Sequence, residues 1–263
     1  MNVEGASVLL TGATGGLGQA IARALAERGA RVTVTGRRMD VLEPLANEIG
    51  GRAIEADLAL PDAPDRVLEA AGAVDVLVAN AGLPGSGRLD SFSVEEIDRA
   101  LTVNLRAPML LAHALSPVMV ERGRGHLVFM SSLSGRAAAP GSSVYCATKF
   151  GLRGFGLALR EDLASKNVGV SVILPGFIRD AGMFHESGAK LPPYVGTKTP
   201  EDVARAVIKA IEQNRAELDV APLPLRAGTV LSSLVPGPIG SIQRKLGAVA
   251  TSDAIHRGQT GKR

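Results

Sequence analysis

The chain has no tryptophan, two tyrosines and one cysteine among its 263 residues. A single cysteine excludes an internal disulfide and any metal framework built on thiolates. With no histidine beside it to act as a base, Cys146 reads as a small packing residue rather than a nucleophile. Four histidines (113, 126, 185 and 256) show neither HxxxH nor HExxH spacing, so no metal site is expected. No apolar run reaches the length of about 18 residues that a membrane span needs. The opening MNVEGASVLL lacks the basic start of a signal peptide, and the expected location is cytoplasmic.

Charge is also scarce, at a net +3, and it is unevenly placed. From Arg226 onward six basic residues face one acid, Asp253, so this end carries +5 and the rest −2. A few spread cations without aromatics for stacking do not make a nucleic-acid surface, and a solvated tail is the expectation. Within it, PIGSIQRKLG (238–247) begins with Pro, ends with Gly and lines up Ile239, Ile242 and Leu246. That pattern suits a helix docked on its own domain or on another subunit; peripheral lipid contact is the less favoured alternative.

What is present is a regular alternation of β-branched runs and helical stretches. Strands are expected at 6–12, 31–36, 52–58, 74–82, 125–132, 168–176 and 217–222. Helices are expected at 17–30, after the second strand, and at about 94–122, 143–166 and 200–213. The pattern predicts an α/β fold: a doubly wound, mostly parallel sheet of about seven strands with helices on both faces. The Pro/Gly-rich stretch after residue 221 marks the end of the compact unit, leaving 222–263 as a basic extension.

Three motifs carry chemistry. TGATGGLG (11–18) sits where the first strand hands over to the first helix, where glycines let backbone N–H groups approach a pyrophosphate. No GK[ST] follows, which disfavours a P-loop. In SSVYCATKFG (142–151), Tyr145 and Lys149 are four apart on a helix and share a face, roughly 6 Å from one another. An ammonium so placed is expected to lower the phenol's pKa from about 10 and make it a usable acid and base. After the second strand comes TGRR (35–38), where Gly36 and Arg37 stand in place of an acid.

Taken together, TGATGGLG, Asn80-Ala81-Gly82, Asn104, Ser132 and Tyr145-x3-Lys149 resemble the signature set of the short-chain dehydrogenase/reductase family. They occur in that family's order, with Ser132 and Asn104 lying 13 and 41 residues before Tyr145. The resemblance covers about residues 5 to 221 and implies a Rossmann-type catalytic domain, 1–221, with a substrate lid over about 177–199. It implies hydride transfer between a nicotinamide and a carbonyl or alcohol, with Tyr145 as general acid/base. Lys149 would lower the tyrosine's pKa and hold the nicotinamide ribose, Ser132 would hold the substrate carbonyl, and Asn104 would hold a water. Ser131 is a competitor for Ser132 that only the spacing to Tyr145 excludes. Gly12, Thr14, Gly16, Leu17, Gly18, Asp57, Leu58, Asn80, Ala81, Gly82, Pro175, Gly176 and Ile178 would line the cofactor. Arg37, with Arg38, would take a 2′-phosphate, so NADP(H) is preferred over NAD(H).

Asp180 departs from the pattern, standing where relatives often place a Thr on the carboxamide. The lid offers Met183, Phe184, Leu191 and Tyr194 with His185, Glu186 and Lys190, which favours an apolar ketone, aldehyde or secondary alcohol. By resemblance a homo-dimer or homo-tetramer is expected. A methyltransferase would leave the Tyr–Lys–Ser set unexplained. The competing class is a nucleotide-sensing or scaffold protein on the same fold.

Overall fold

The structure, a computed structural model, describes residues 1–192, 195–237 and 248–259. Its strands are β1 (Ser7–Thr11), β2 (Arg31–Gly36), β3 (Arg52–Glu55), β4 (Val76–Ala79), β5 (Gly125–Met130), β6 (Val168–Pro175) and β7 (Glu217–Val220). All pair in parallel, in the order β3-β2-β1-β4-β5-β6-β7. This is the doubly wound sheet that the alternation predicts. β4, β5 and β6 are buried along their whole length, as central strands covered on both faces must be.

The helices are α1 (Gly16–Glu27), α2 (Met39–Glu48), α3 (Ala63–Ala71), α4 (Val94–Leu101), α5 (Ala107–Glu121) and α6 (Ser143–Leu163). They continue with α7 (Gly182–Glu186), α8 (Pro200–Gln213), α9 (Leu223–Leu234) and α10 (Ala248–Gln259). Alternation along β1 sends Val8 and Leu10 to one face of the sheet and Leu9 to the other. Ile21 and Leu25 of α1, Leu42 of α2 and Val203, Val207 and Ile211 of α8 cover the first face. Val67 of α3, Leu111, Leu115 and Met119 of α5 and Leu152 of α6 cover the second. The stretch Val94–Glu121 is long and apolar enough to cross a membrane, but its buried side chains pack on this second face.

Between α4 and α5 the helix widens into a π-turn, Thr102–Arg106, which the sequence reading took as one uninterrupted helix. α3 lies outside the expected elements, and the strands other than β2, which spans the expected 31–36, end one to three residues earlier than their apolar runs. The largest correction concerns the chain end. Residues 223–234 and 248–259, read as part of a solvated tail, form α9 and α10. The segment 238–247, where a docking helix was expected, lies outside the described residues.

Candidate active site

The order of the strands reverses between β1 and β4, which opens a crevice beyond their carboxyl ends. A cleft of about 1020 Å³ occupies it and runs from the turn after β1 past the ends of β5 and β6. The turn and the loop after β4 are fastened together. Asn80 Nδ2 donates to the carbonyls of Thr11 (3.0 Å) and Gly12 (3.1 Å), and Thr11 Oγ1 accepts from the Ala81 N–H at 3.0 Å. Gly12 has φ +70°, and a Cβ there would lie 2.6 Å from Ala81 Cα, so only glycine permits this approach.

α1 then follows Gly15, its N-cap, with no side-chain cap and no acid in its first turn. Its first N–H groups have no partner within the helix, and the helix dipole favours an anion there. A pyrophosphate fits this end. Thr14, Gly16, Leu17 and Gly18 line the cleft beside it. The glycines do more than admit a ligand: a Cβ on Gly16 would sit 2.5 Å from Ala181 Cβ, and one on Gly18 would sit 2.4 Å from the Gly12 carbonyl.

At the other end of the nucleotide half, Gly36 closes β2 against Thr14. A Cβ at position 36 would be 2.7 Å from Thr14 Cγ2, so the acid of an NAD-type strand end would require the Thr14 side chain to move. Exposed Arg37 and Arg38 line the cleft, and Arg38 Nη2 donates to the Thr14 carbonyl at 3.0 Å. Among the described residues no carboxylate pairs with either arginine. Asp57 and buried Leu58 also line the cleft, but Asp57 stands two residues beyond the end of β3 rather than closing it. Its carboxylate accepts from Arg99 Nη2 and from the Ala59 N–H, both at 3.0 Å.

The catalytic candidates meet at the middle of the cleft. Tyr145 and Lys149 lie one turn apart on α6, with Lys149 Nζ 5.6 Å from the tyrosine ring centroid. Ser132 hydrogen-bonds the Tyr145 hydroxyl, and its Oγ also accepts from the Ser134 N–H at 3.1 Å. Ser131, its neighbour in sequence, also lines the cleft, but it is buried and its hydroxyl donates to the Lys149 carbonyl at 2.8 Å, so that hydroxyl is spent holding α6. Lys149 Nζ donates to the Met130 carbonyl at 2.8 Å.

The expected lowering of the tyrosine pKa is not found. Burial pushes Tyr145 up to about 12, outweighing the Ser132 hydrogen bond that pulls it down. Burial also lowers Lys149 to about 8. Removing a phenolate from water costs more than a lysine 5.6 Å from the ring returns.

Asn104, fully buried in the π-turn, is held differently from the expectation. Its Oδ1 accepts from the Leu83 N–H at 2.6 Å, and its Nδ2 donates to the Leu83 carbonyl at 2.9 Å and to Thr148 Oγ1 at 3.3 Å. The side chain therefore fixes the loop carrying Gly82. A Cβ on Gly82 would lie 3.5 Å from Asn104 Oδ1 and 3.6 Å from Lys149 Nζ, which places all three together.

After β6, the Pro175 carbonyl accepts from Ser132 Oγ at 3.4 Å, and Gly176 and buried Ile178 line the cleft. Asp180 does not: it has φ +70°, is exposed and pairs with Arg179 at 3.4 Å. Met183, Phe184, Glu186 and Leu191 of the lid line the substrate half, while Tyr194 lies outside the described residues. The sequence reading missed Leu225 and Thr229 of α9 and Ser252, Ile255 and Gln259 of α10, which line the same cleft. Their segments carry only a weak apolar pattern, with Val249, Ala254 and Ile255 the sole hint in α10.

Comparison with known proteins agrees with this geometry. The model of the short chain dehydrogenase family matches residues 6–192. The ketoacyl reductase HetN of a Nostoc species is 35% identical over 246 residues, covering 90% of this chain and 86% of that protein. A short-chain dehydrogenase from Sphingobium yanoikuyae in complex with NADPH superposes with a TM-score of 0.76 at 27% identity, over 90% of this chain and 94% of that one. The 3-ketoacyl-(acyl-carrier-protein) reductase from Brucella melitensis complexed with NADH gives 0.75 at 27% identity, over 83% and 97%. With its sheet order, its glycine turn and its Ser–Tyr–Lys cluster in one cleft, the chain belongs to the short-chain dehydrogenase/reductase family and is a nicotinamide-dependent oxidoreductase.

Proposed function

We propose that the protein reduces an uncharged, apolar ketone or aldehyde to the alcohol with NADPH. The observation that carries this reading is the Tyr145 hydroxyl, hydrogen-bonded to Ser132 and set beside Lys149 in the cleft that begins at the uncapped end of α1. The nicotinamide supplies the hydride. The chain holds the dinucleotide with the N–H groups of α1, Asp57, the loop 80–82 and Lys149, and Arg37 and Arg38 provide charge for a 2′-phosphate.

Ser132 and Tyr145 would together grip the substrate oxygen as negative charge grows on it. Tyr145, protonated at any physiological pH, donates the proton that completes the alcohol. A group held at about 12 keeps its proton until the alkoxide forming on the substrate, a stronger base still, draws it away. The resulting phenolate is stabilised by the Ser132 hydrogen bond and the nearby ammonium of Lys149. Asn104 positions the Gly82 loop behind that ammonium.

Apolar walls of Phe177, Phe184 and Leu191 support an apolar substrate, and relatives named ketoacyl reductases support a 3-ketoacyl compound as a second candidate. Exposed Met109, Val118 and Phe150 on α5 and α6 support self-association through these helices.

The test is turnover of NADPH, then NADH, against a panel of apolar ketones and aldehydes, with Tyr145→Phe beside the parent protein. We expect NADPH oxidation that falls about 100- to 10,000-fold in the variant while NADPH binding persists. Equal turnover by the two proteins would overturn the assignment.

A further inference from the structure

α10 crosses the mouth of the cleft from one rim to the other. On one rim a Cβ at Gly141 would come within 2.5 Å of Ser252 Oγ, and a His256 ring nitrogen lies 2.9 Å from the Ser86 carbonyl. On the other, Gln259 Nε2 donates to the Met183 carbonyl at 2.8 Å. Gly258 meets α7 so closely that a Cβ on it would stand 2.1 Å from the Ser187 carbonyl oxygen. Gln259 is only 4% exposed, so the helix end is seated and not merely adjacent. Between these anchors Ser252 and Ile255 line the substrate half of the cleft.

We propose that α10 is the selectivity element of the site, with Ile255 the residue that sets the size of the carbonyl compound admitted. This deepens the reductase reading and rests on it. The chemistry of the walls narrows the class of substrate. On the substrate side Ala137, Pro140, Phe177, Leu191 and Leu225 are apolar, and among the described residues the one charged side chain besides Lys149 is Glu186. Apart from Lys149 beside Tyr145, no lysine or arginine among the described residues lines this side to meet a phosphate or a carboxylate. The compound is therefore a free, uncharged ketone or aldehyde rather than an acyl group tethered to a phosphate-bearing arm.

The experiment uses the full chain and two readouts. The first is calorimetric binding of methyl ketones of rising chain length to the NADP⁺-saturated protein; the second is NADPH turnover of the same series. Ile255→Ala and Ile255→Trp change the size of the wall, and Gly258→Val pushes α10 off α7 without touching the lining. NADPH affinity within about twofold of the parent shows that each variant is folded. We expect Ile255→Ala to bind the longest ketones about tenfold more tightly, Ile255→Trp to reject them by a similar factor, and Gly258→Val to flatten the chain-length profile. A profile unchanged within about twofold in both Ile255 variants would overturn the proposal. So would tighter binding of a coenzyme A thioester than of the matching free ketone. A shifted binding profile without turnover in any protein would sink the reductase reading and leave the role of α10 standing.

Discussion

Lys149 and Tyr145 are both taken out of water, and burial moves them in opposite senses: the lysine down to about 8, the tyrosine up to about 12. Their order is thereby inverted relative to free side chains, and the lysine titrates first. It is charged below about 8 and neutral above, while the phenol keeps its proton through that range. The kcat/KM for reduction should therefore fall as pH rises through about 8, as the ammonium that stabilises the nascent phenolate is lost. A profile flat from pH 7 to 10 would refute this assignment of the limb to Lys149. Arg37, exposed at the other end of the cleft, is proposed to act through charge alone. Arg37→Glu should raise the KM for NADPH about tenfold or more and leave that for NADH within about threefold, since only the former presents a 2′-phosphate to repel. Steady-state kinetics with both nucleotides checks this, and equal effects on the two would remove Arg37 from phosphate recognition.

At the scale of elements, everything depends on how closely α6 lies on the sheet. A Cβ at Gly156 would come 2.7 Å from Val172 Cγ2 and 3.0 Å from the Phe129 ring, and Ser131 ties the helix again through the Lys149 carbonyl. Gly156→Val should cost about 1–3 kcal/mol of stability through overpacking and lower kcat as well, because Tyr145 and Lys149 ride on the lifted helix. Urea unfolding with kinetics on the same protein tests the pairing; a loss of stability with kcat intact would show the two to be independent. Elements of this kind were legible in the sequence because their signals are local. α8 announces itself with Pro200 and the reciprocal cap between Thr199 and Asp202, and it spans the expected 200–213. Tyr145 and Lys149 follow from helical spacing alone. The π-turn at Asn104 has no such signal, because it shifts hydrogen bonds without changing residue types. α10 escaped because it gains its order from the rims it bridges, and the lysine and tyrosine shifts escaped because they depend on cleft depth.

At the scale of the molecule, two buried polar sites lie apart from the catalytic cluster. Arg136, four residues after Ser132, is paired with Glu217 and, at 2.7 Å, with Asp219 of β7; Asp219 also meets Arg226 of α9 at 3.4 Å. His126, buried in β5, contacts Ser171 Oγ at 2.8 Å and is held down to about 3 by desolvation. The unfolded chain takes up a proton at this histidine near pH 6.5 and the folded protein does not, so stability falls as pH drops through that window. By pH 4.5 the loss amounts to about 3 kcal/mol, at about 1.4 kcal/mol for each unit. Urea midpoints at pH 7.5 and 4.5 should thus differ by less in His126→Gln than in the parent; equal differences would place the acid sensitivity elsewhere. One contact described above reaches into the order of events. With Ala181 seated on Gly16, the strip where the dinucleotide phosphates would lie is roofed by the same loop that leads into the substrate lid. On the proposed reading that loop would lift for the nucleotide and settle again before the carbonyl compound has walls to rest against. On that reading the nucleotide would then be first on and last off, an order that product-inhibition kinetics would check.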